Sequence, residues 1–404
     1  MEVACLRRLT VSARGRVLGL FVALLAGCFR GVGAAGPTSG GAPTLRAYVA
    51  TGSSNEVAVI DTVLRRPVSD PIAVPGYPSR MVVAPAGTMN EKNRELLFVL
   101  CRVNGSVAII NRRSNNIEAT VQAGEEPTDL AITSDGAFVY VVSPRERRLR
   151  RINVVTRQVD RSTSLPEDFE PVSVAVRNFR QAPVGTDGAI KHAVLVLSRK
   201  PALTNTVKVA RMLAYNVDSG NIQTSGQLLD AAVSRDPQQP SRVVIWEDAA
   251  GTSAFAYSVD AGNGSYMSVR DLSSWQPGVL NIVSETVVQL SGVTGGVGGI
   301  AVDAQGWRYL AYPDSFGIYA IAPGASSGNF TALSPSGSFQ PTNMTVNGDG
   351  SELWAVSPGK SKVVAWNLLP SGGLTEQAGS VLYSLLSGAA PVPDDVVLAP
   401  GLGR

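Results

Sequence analysis

The stretch Pro127-Thr-Asp-Leu-Ala-Ile-Thr-Ser-Asp-Gly136 decides the fold. It combines a turn proline, a short strand of alternating character and an Asp-Gly turn. The same frame recurs along the chain, and counting its incomplete versions gives seven copies. The other six copies begin at Pro78, Pro171, Pro240, Val297, Pro341 and Pro393. Self-similarity of this kind indicates one repeat architecture rather than several unrelated domains.

More strands accompany each copy of the frame. A second strand follows it, as in Leu97-Phe-Val-Leu100, and a third strand ends in an apolar residue plus Asp or Asn, as in Ile60-Asp61. We predict that these Asp and Asn side chains close turns by accepting backbone hydrogen bonds two residues on. A fourth, more variable strand completes the unit, as at residues 117–122. Four short strands repeated at roughly 40–60 residues predict an all-β, seven-bladed β-propeller of four-stranded blades.

The units resemble the YVTN family of propeller repeats. The resemblance is carried by Ala47-Tyr-Val-Ala-Thr51, by Val57-Ala-Val-Ile-Asp-Thr62 and by residues 126–136. It covers about residues 45–402, is strong in the first three units and the last, and is weakened by insertions at 178–191 and 201–208. It implies the fold and little chemistry, because propellers host unrelated functions.

The order of strands predicts how the ring closes. The body begins with the second strand of a unit, at Tyr48, and ends with an isolated inner-type strand, residues 395–399. We expect this last strand to pair beside the first segment. Such pairing joins the termini without a covalent bond and removes an open sheet edge.

Residues 1–27 are predicted to be a lipoprotein signal peptide. Four arginines precede an apolar run of about ten residues, which is too short to span a bilayer. The run ends in Leu25-Ala26-Gly27-Cys28, which resembles a bacterial lipobox, and this resemblance implies lipidation of Cys28. An ordinary secretory signal cut near Ala34 or Ala35 is the alternative. Residues 28–44, rich in Gly, Ala, Pro and Ser, are predicted to be a flexible linker before the propeller at 45–402.

This signal predicts an exported protein that is lipid-anchored in the bacterial cell envelope. Phe29 follows the cysteine, so the Asp that serves as the inner-membrane retention signal is missing there; resemblance to Gram-negative lipoproteins then implies the outer membrane, if the source has one, facing the periplasm or the cell surface. The signal carries four Arg and one Glu, and the whole chain has a formal charge of +3, so the mature protein is near zero. This balance argues against nucleic-acid binding.

The few histidines and cysteines limit the kinds of catalytic and metal site that the chain can form. His192 is the one histidine of the 404 residues, which nearly excludes His-based triads and multi-histidine metal sites. Past Cys28 the sequence holds only Cys101, which lies in an apolar strand and is predicted to be a buried small hydrophobe. The motif Asn347-Gly-Asp-Gly350 has too few oxygen ligands for calcium and is predicted to be a turn. We therefore predict no cofactor and no metal site.

The predicted binding site is the mouth of the central channel. Inner strands line this channel, and the residue two after the unit proline should stand at its mouth. That position holds Arg80, Asp129, Ser173, Arg242, Gly299, Asn343 and Asp395. Two Arg and two Asp sum to zero charge, and opposite charges should keep both acids ionised. With Tyr77 and Glu126 this ring forms a candidate polar site; a solvated, mutually paired channel entrance is the favoured alternative.

A second candidate is a basic patch in the third unit. Five of the seven residues 145–151 are arginine, namely Arg145, Arg147, Arg148, Arg150 and Arg151. They could meet anionic lipid, glycans or an acidic partner protein. A solvated strand edge, neutralised in part by the acidic loop 167–170, is the favoured alternative.

These observations favour a non-catalytic propeller that binds an envelope protein, a peptide or a glycan and touches the membrane only through its lipid. An assembly subunit that docks other envelope proteins is a second hypothesis. An enzyme is the third, because related propellers include sugar-lactone hydrolases and quinoprotein amine dehydrogenase subunits. His192 is predicted to lie away from the channel ring, which argues against a catalytic role for it.

Overall fold

A computed structural model describes residues 45–85, 88, 90–166, 170–178, 192–199, 210–215, 222–223, 229–231, 240–262, 266–274, 285–290, 292–332, 339–371, 374–376 and 392–400. Within these residues the regular structure is β-strand, apart from short 3-10 turns at Gly52–Ser54, Glu91–Glu95 and Pro358–Lys360. In the described part of the chain no helix has the length and apolar character that crossing a membrane requires. Cys28, the linker 28–44 and the insertions fall mostly or wholly outside the described residues.

The described strands form seven antiparallel sheets, here called blades 1 to 7 in chain order. Blade 1 begins with β1 (Leu45–Thr51), β2 (Glu56–Asp61), β3 (Arg66–Pro67) and β4 (Ile72–Ala73). Blade 2 contains β5 (Pro78–Val83), β6 (Leu96–Cys101), β7 (Ser106–Asn111) and β8 (Asn116–Gln122). Blade 3 contains β9 (Asp129–Ile132), β10 (Phe138–Ser143), β11 (Arg148–Asn153) and β12 (Gln158–Ser164).

The remaining blades follow the same order. Blade 4 contains β13 (Glu170–Asn178), β14 (His192–Arg199), β15 (Ala210–Tyr215), β16 (Ile222–Gln223) and β17 (Leu229–Ala231). Blade 5 contains β18 (Pro240–Glu247), β19 (Ala254–Asp260), β20 (Tyr266–Asp271) and β21 (Glu285–Gln289). Blade 6 contains β22 (Gly299–Val302), β23 (Arg308–Tyr312), β24 (Gly317–Ile321) and β25 (Gly328–Ala332). Blade 7 contains β26 (Asn343–Val346), β27 (Glu352–Ser357), β28 (Lys362–Leu368) and β29 (Leu374–Glu376), and β30 (Pro393–Pro400) ends the chain's strands.

The C-terminal strand closes the ring as predicted. β30 pairs antiparallel with β1, with Tyr48 opposite Val397 and Leu45 opposite Pro400, and becomes the inner strand of blade 1. Each inner strand also contacts the inner strands of the two neighbouring blades, so the seven inner strands form a continuous circle. The all-β, seven-bladed propeller with C-terminal closure is therefore confirmed.

The hydrophobic core is divided among the seven blade interfaces. Seven clusters of buried side chains each join two neighbouring blades. On β6, Leu97 and Val99 pack toward blade 1, whereas Phe98 and Leu100 pack toward blade 3. Successive residues of a strand point to opposite faces, so one apolar strand serves two interfaces. This explains why the second strand of each unit is an unbroken apolar run.

The third strands end in the predicted Asx turns. Asp61 Oδ1 accepts from the backbone N–H groups of Val63 and Leu64, each at 2.8 Å. Equivalent bonds to the residue two positions on are made by Asn111, Asn153 and Asp271. The strand-end Asp and Asn residues therefore have a structural role in turning the chain toward the outermost strand.

Candidate functional site

Five of the six predicted polar residues of the ring make hydrogen bonds that link inner strands near their starts. Ser173 Oγ donates to Asp129 Oδ2 at 2.5 Å, and Val174 N donates to the same oxygen at 3.1 Å. Ser173 Oγ in turn accepts from Val243 N at 3.1 Å. Each of these bonds crosses from one blade to the next. The side chains at this position therefore fasten neighbouring inner strands together.

The same linkage continues through blades 7, 1 and 2. Asn343 Nδ2 donates to Asp395 Oδ1, and Met81 N donates to Asp395 Oδ2 at 2.7 Å. Arg242 reaches across the channel to Asn343 Oδ1 at 3.4 Å. Asp129 and Asp395 are about 95% buried, so their carboxylate oxygens are committed to these bonds rather than offered to solvent. Of the favoured alternative, a solvated and mutually paired entrance, these two acids show hydrogen bonding between ring members, but they are buried rather than solvated.

Burial, rather than opposite charge, dominates the titration of Asp395. Its pKa is raised because burial penalises the charged carboxylate more than the attraction of Arg80 and Arg242 favours it. The sequence predicts that opposite charges keep this acid ionised; the direction of the shift runs against that attraction, because burial is the larger effect.

Arg80 differs from the other ring members. Its side chain is only partly buried, and within the described residues its guanidinium makes no hydrogen bond and no ion pair within 4.0 Å. Burial and the nearby Arg242 lower the pKa of Arg80 to about 10, against the attraction of Asp395, Asp129 and Asp394. The group stays protonated at neutral pH. It is a cation held at the mouth with its donors available.

Arg80 lines a cavity of about 300 Å³, here called the mouth cavity. Its wall includes Tyr77 and Asn343, which the sequence predicted, and Arg102 and Asp394, which it missed. The position directly after the unit proline could have revealed Asp394, because Ser79, Thr128 and Thr342 stand at the same position and also line the cavity. Arg102 is exposed at the end of β6 and donates its backbone N–H to Tyr77 O at 3.0 Å.

Tyr77 and Asp394 form one side of the mouth cavity. Tyr77 Oη donates to Asp394 Oδ1 at 3.4 Å, and Gly52 N donates to Asp394 Oδ2 at 3.0 Å. Burial raises the pKa of Asp394, and burial together with Asp394 raises the pKa of Tyr77. A Cβ on Gly52 would stand 2.7 Å from the Tyr77 ring, so only glycine allows this close packing.

Two of the predicted site residues have unusual backbone geometry. Tyr77 and Glu126, which precede the unit prolines of blades 2 and 3, both have a φ of 44°. Residues with side chains rarely adopt this left-handed region, and such strain is concentrated at ligand and catalytic sites. Asn55 Oδ1 accepts from Tyr77 N at 2.6 Å and helps to hold that conformation.

Glu126 lies outside the mouth cavity, in a neighbouring one. It lines a cavity of about 450 Å³ between blades 2 and 3, here called the blade 2–3 groove. Its carboxylate pairs with Arg145 at 3.1 Å, and both side chains are largely exposed. The predicted site residues are therefore divided between two adjoining cavities.

Three of the five arginines of the basic patch pair with acids outside the loop that was expected to neutralise it. Arg145 pairs with Glu126, Arg150 pairs with Glu146, and Arg151 makes a two-bond contact with Asp160 at 2.8 Å. Arg148 donates to Ser162, and Arg147 occupies the exposed turn with a φ of 50°. Of the loop expected to neutralise the patch, Glu170 pairs instead with Arg199, and residues 167–169 lie outside the described residues.

His192 and Cys101 have packing roles. Tyr140 Oη lies 2.8 Å from His192 Nε2 in the interface between blades 3 and 4. His192 is opposite Asn178, at the far end of β13 from Ser173, so it lies away from the mouth as predicted. Cys101 is fully buried, and burial raises the pKa of its thiol to about 11, which makes it unreactive. Across the described ranges no cluster of three or more His, Cys, Asp or Glu side chains could hold a metal ion.

Comparison with known proteins identifies the class of protein as a β-propeller. Among solved structures the chain is similar to the periplasmic gluconolactonase of Pseudomonas aeruginosa, at 15% identity and a TM-score of 0.59, covering 88% of this chain and 98% of that one. It is similar to hydrazine synthase of Kuenenia stuttgartiensis at 13% identity and a TM-score of 0.57, covering 82% and 92% of the two chains. A functionally unknown protein of Desulfotomaculum acetoxidans matches at 13% identity and a TM-score of 0.58, covering 88% and 99%.

These likenesses show the fold alone, since identities this low do not carry function. No protein-family model and no curated protein matches the chain. The resemblance to YVTN repeats therefore stays a prediction from the sequence.

Proposed function

We propose that the protein is a non-catalytic binding protein of the bacterial cell envelope, whose channel mouth holds a partner. The observation that carries this proposal is Arg80. Its guanidinium lines the mouth cavity beside Arg102 and is bonded to no other described residue. Partly dehydrated arginines of this kind are well suited to bind an anionic group through charge-assisted hydrogen bonds.

The hydrogen bonds accepted by Asp129 and Asp395 favour a binding function over catalysis. A general acid or base needs a carboxyl that can reach the proton it transfers. The oxygens of Asp129 and Asp395 instead accept bonds that join neighbouring blades. Their contribution is to fix the circle of inner strands on which the arginines stand.

A lactone hydrolase is the second candidate. The Asp394 carboxyl faces the mouth cavity next to Tyr77, and its raised pKa suits proton transfer. The P. aeruginosa gluconolactonase has a similar fold, and this likeness concerns the fold alone. Hydrolysis of a sugar lactone by the purified protein, lost in Asp394→Asn, would replace the binding proposal.

The binding proposal predicts loss of a partner when the mouth arginines are changed. Envelopes are solubilised, and partners captured by wild type and by the double variant Arg80→Gln/Arg102→Ala are compared by quantitative mass spectrometry. We expect a stoichiometric partner to fall at least tenfold in the variant, because its anionic group loses both cations. Arg66→Ala, on the outer part of blade 1, is the matched control and should capture normally. Equal capture by the double variant would move the site elsewhere.

The envelope location rests on Cys28 and has its own test. We propose cleavage before Cys28 and lipid attachment to it, which would anchor the propeller through residues 28–44. Metabolic labelling with a fatty-acid probe is expected to mark wild type and to leave Cys28→Ala unmarked. Cys5→Ala, in the part that cleavage would remove, is the control and should label like wild type. Equal labelling of wild type and Cys28→Ala would contradict lipidation.

A further inference from the structure

The mouth cavity and the blade 2–3 groove are separated by a single turn. Residues 102–105 join β6 to β7; Arg102 lines the mouth cavity, whereas Val103, Asn104 and Gly105 line the groove. The loop into β9 divides in the same way, with Thr128 on the mouth side and Glu126 on the groove side. The two cavities therefore adjoin along two stretches of chain and can accept one elongated ligand.

The mouth end of this path selects an anion. Arg80 and Arg102 both line it, and the Tyr77 hydroxyl stands in the same wall. A planar guanidinium can bind a carboxylate through two parallel hydrogen bonds. Asn343 and Ser79 add neutral polar groups to the wall. Asp394 lines the same wall, so two guanidinium groups face one carboxyl group, and a terminal carboxylate would balance the remaining positive charge.

The blade 2–3 groove differs from the mouth cavity in its charge and in its neutral polar groups. Glu126 and Glu146 are balanced by Arg145 and Arg150, which leaves Glu125 as one exposed acid in excess. The side-chain amides of Asn104 and Gln122 supply both donors and acceptors. Val103 is 72% exposed on the turn between the two cavities, where it offers an apolar contact. The amides can hydrogen-bond a peptide backbone, Val103 can contact an apolar part of the peptide, and Glu125 can pair with a basic side chain.

We propose that the site binds the C-terminal end of an extended peptide, a deeper form of the function proposed above and dependent on it. The terminal carboxylate binds to Arg80 and Arg102, the next residues cross Val103, and a lysine or arginine of the peptide faces Glu125. Capture of a C-terminal carboxylate is a recurring mode of peptide recognition. An acidic glycan fits less well, because the groove has one acid in excess, Glu125, which would repel a carboxylate there.

The test uses synthetic pools of fluorescein-labelled pentapeptides with lysine fixed at the third position from the end. One pool carries a free C-terminal carboxylate and the other a C-terminal amide, and binding to the full-length protein in detergent is measured by fluorescence anisotropy. We expect the free-acid pool to bind at least tenfold more tightly. Arg102→Ala should remove this preference, whereas Arg66→Ala should keep it. Glu125→Gln should weaken binding of the lysine pool relative to an alanine pool.

Equal binding of the acid and amide pools, or an unchanged preference in Arg102→Ala, would overturn the peptide assignment. Tighter binding of an oligogalacturonate than of any peptide pool would overturn it in favour of an acidic glycan. The two proposals fail differently. If partner capture falls in Arg80→Gln/Arg102→Ala while the free-acid and amide pools bind equally, only the peptide assignment fails. If partner capture is unchanged in that variant, the mouth is not the binding site and both proposals fail.

Discussion

Deletion of residues 391–404 is expected to unfold the whole propeller. The deletion removes β30, which pairs with β1 from Leu45 to Thr51 and supplies buried Val396 and Ala399 to two blade interfaces. Backbone hydrogen bonds contribute about 1 kcal/mol each, and the loss of a strand with its apolar contacts approaches the roughly 5–15 kcal/mol by which proteins are stable. We expect loss of the cooperative thermal transition in circular dichroism and aggregation during gel filtration.

A shorter deletion is the control for this experiment. Removing only residues 401–404 leaves every β30 pairing in place, so the melting temperature should match that of wild type. An unchanged melting temperature in the 391–404 deletion would show that closure by β30 does not hold the ring together.

Asp129→Ala is expected to destabilise the fold by about 3 kcal/mol, because it strips acceptors from several buried donors. The lost bonds are those from Ser173 Oγ and Val174 N, which join blade 4 to blade 3, and the one from Leu130 N, which lies within blade 3. Asp129→Asn keeps one acceptor oxygen and should lose about 1 kcal/mol. Urea unfolding followed by tryptophan fluorescence measures both values.

Asp160→Ala is the matched control for the loss of an acid on the same blade. Asp160 is exposed and pairs with Arg151, so its removal should change stability by less than about 1 kcal/mol. A stable Asp129→Ala protein would mean that the interblade bonds contribute little. Because Asp129→Ala is expected to destabilise the fold, a loss of partner binding in this variant would not by itself locate the site. Substitutions of Arg80 and Arg102 are therefore the better tests of the site.

The sequence predicted the fold because the information for it is local and repeated. A turn proline, an alternating strand and an Asp-Gly turn each act within a few residues, as Gly136 shows with its φ of 67°. Asp61 and Asn153 close their turns through atoms two and three residues away. Ring closure followed from the strand order alone, because the isolated last strand and the first strand of the body would otherwise both have an unpaired edge.

The sequence also placed the channel ring, since the position two after each unit proline has the same register in every blade. It could not assign roles within the ring. Asp129 and Arg80 occupy equivalent positions, but one is buried between two strands and the other stands in a cavity. The difference depends on side-chain length and on which residue the next blade presents.

Contacts between blades were decided by the tertiary structure alone. Arg102 and Asp394 lie far apart in sequence and meet at one cavity because their strands belong to neighbouring blades of a closed ring. The charge of the basic patch was likewise set by Glu126, which the loop from blade 2 brings to Arg145. The periodicity of the sequence specifies each blade, because strand pairing and turns involve residues close together in the chain. It does not specify which side chains face each other between blades, because that depends on packing between units distant in the chain.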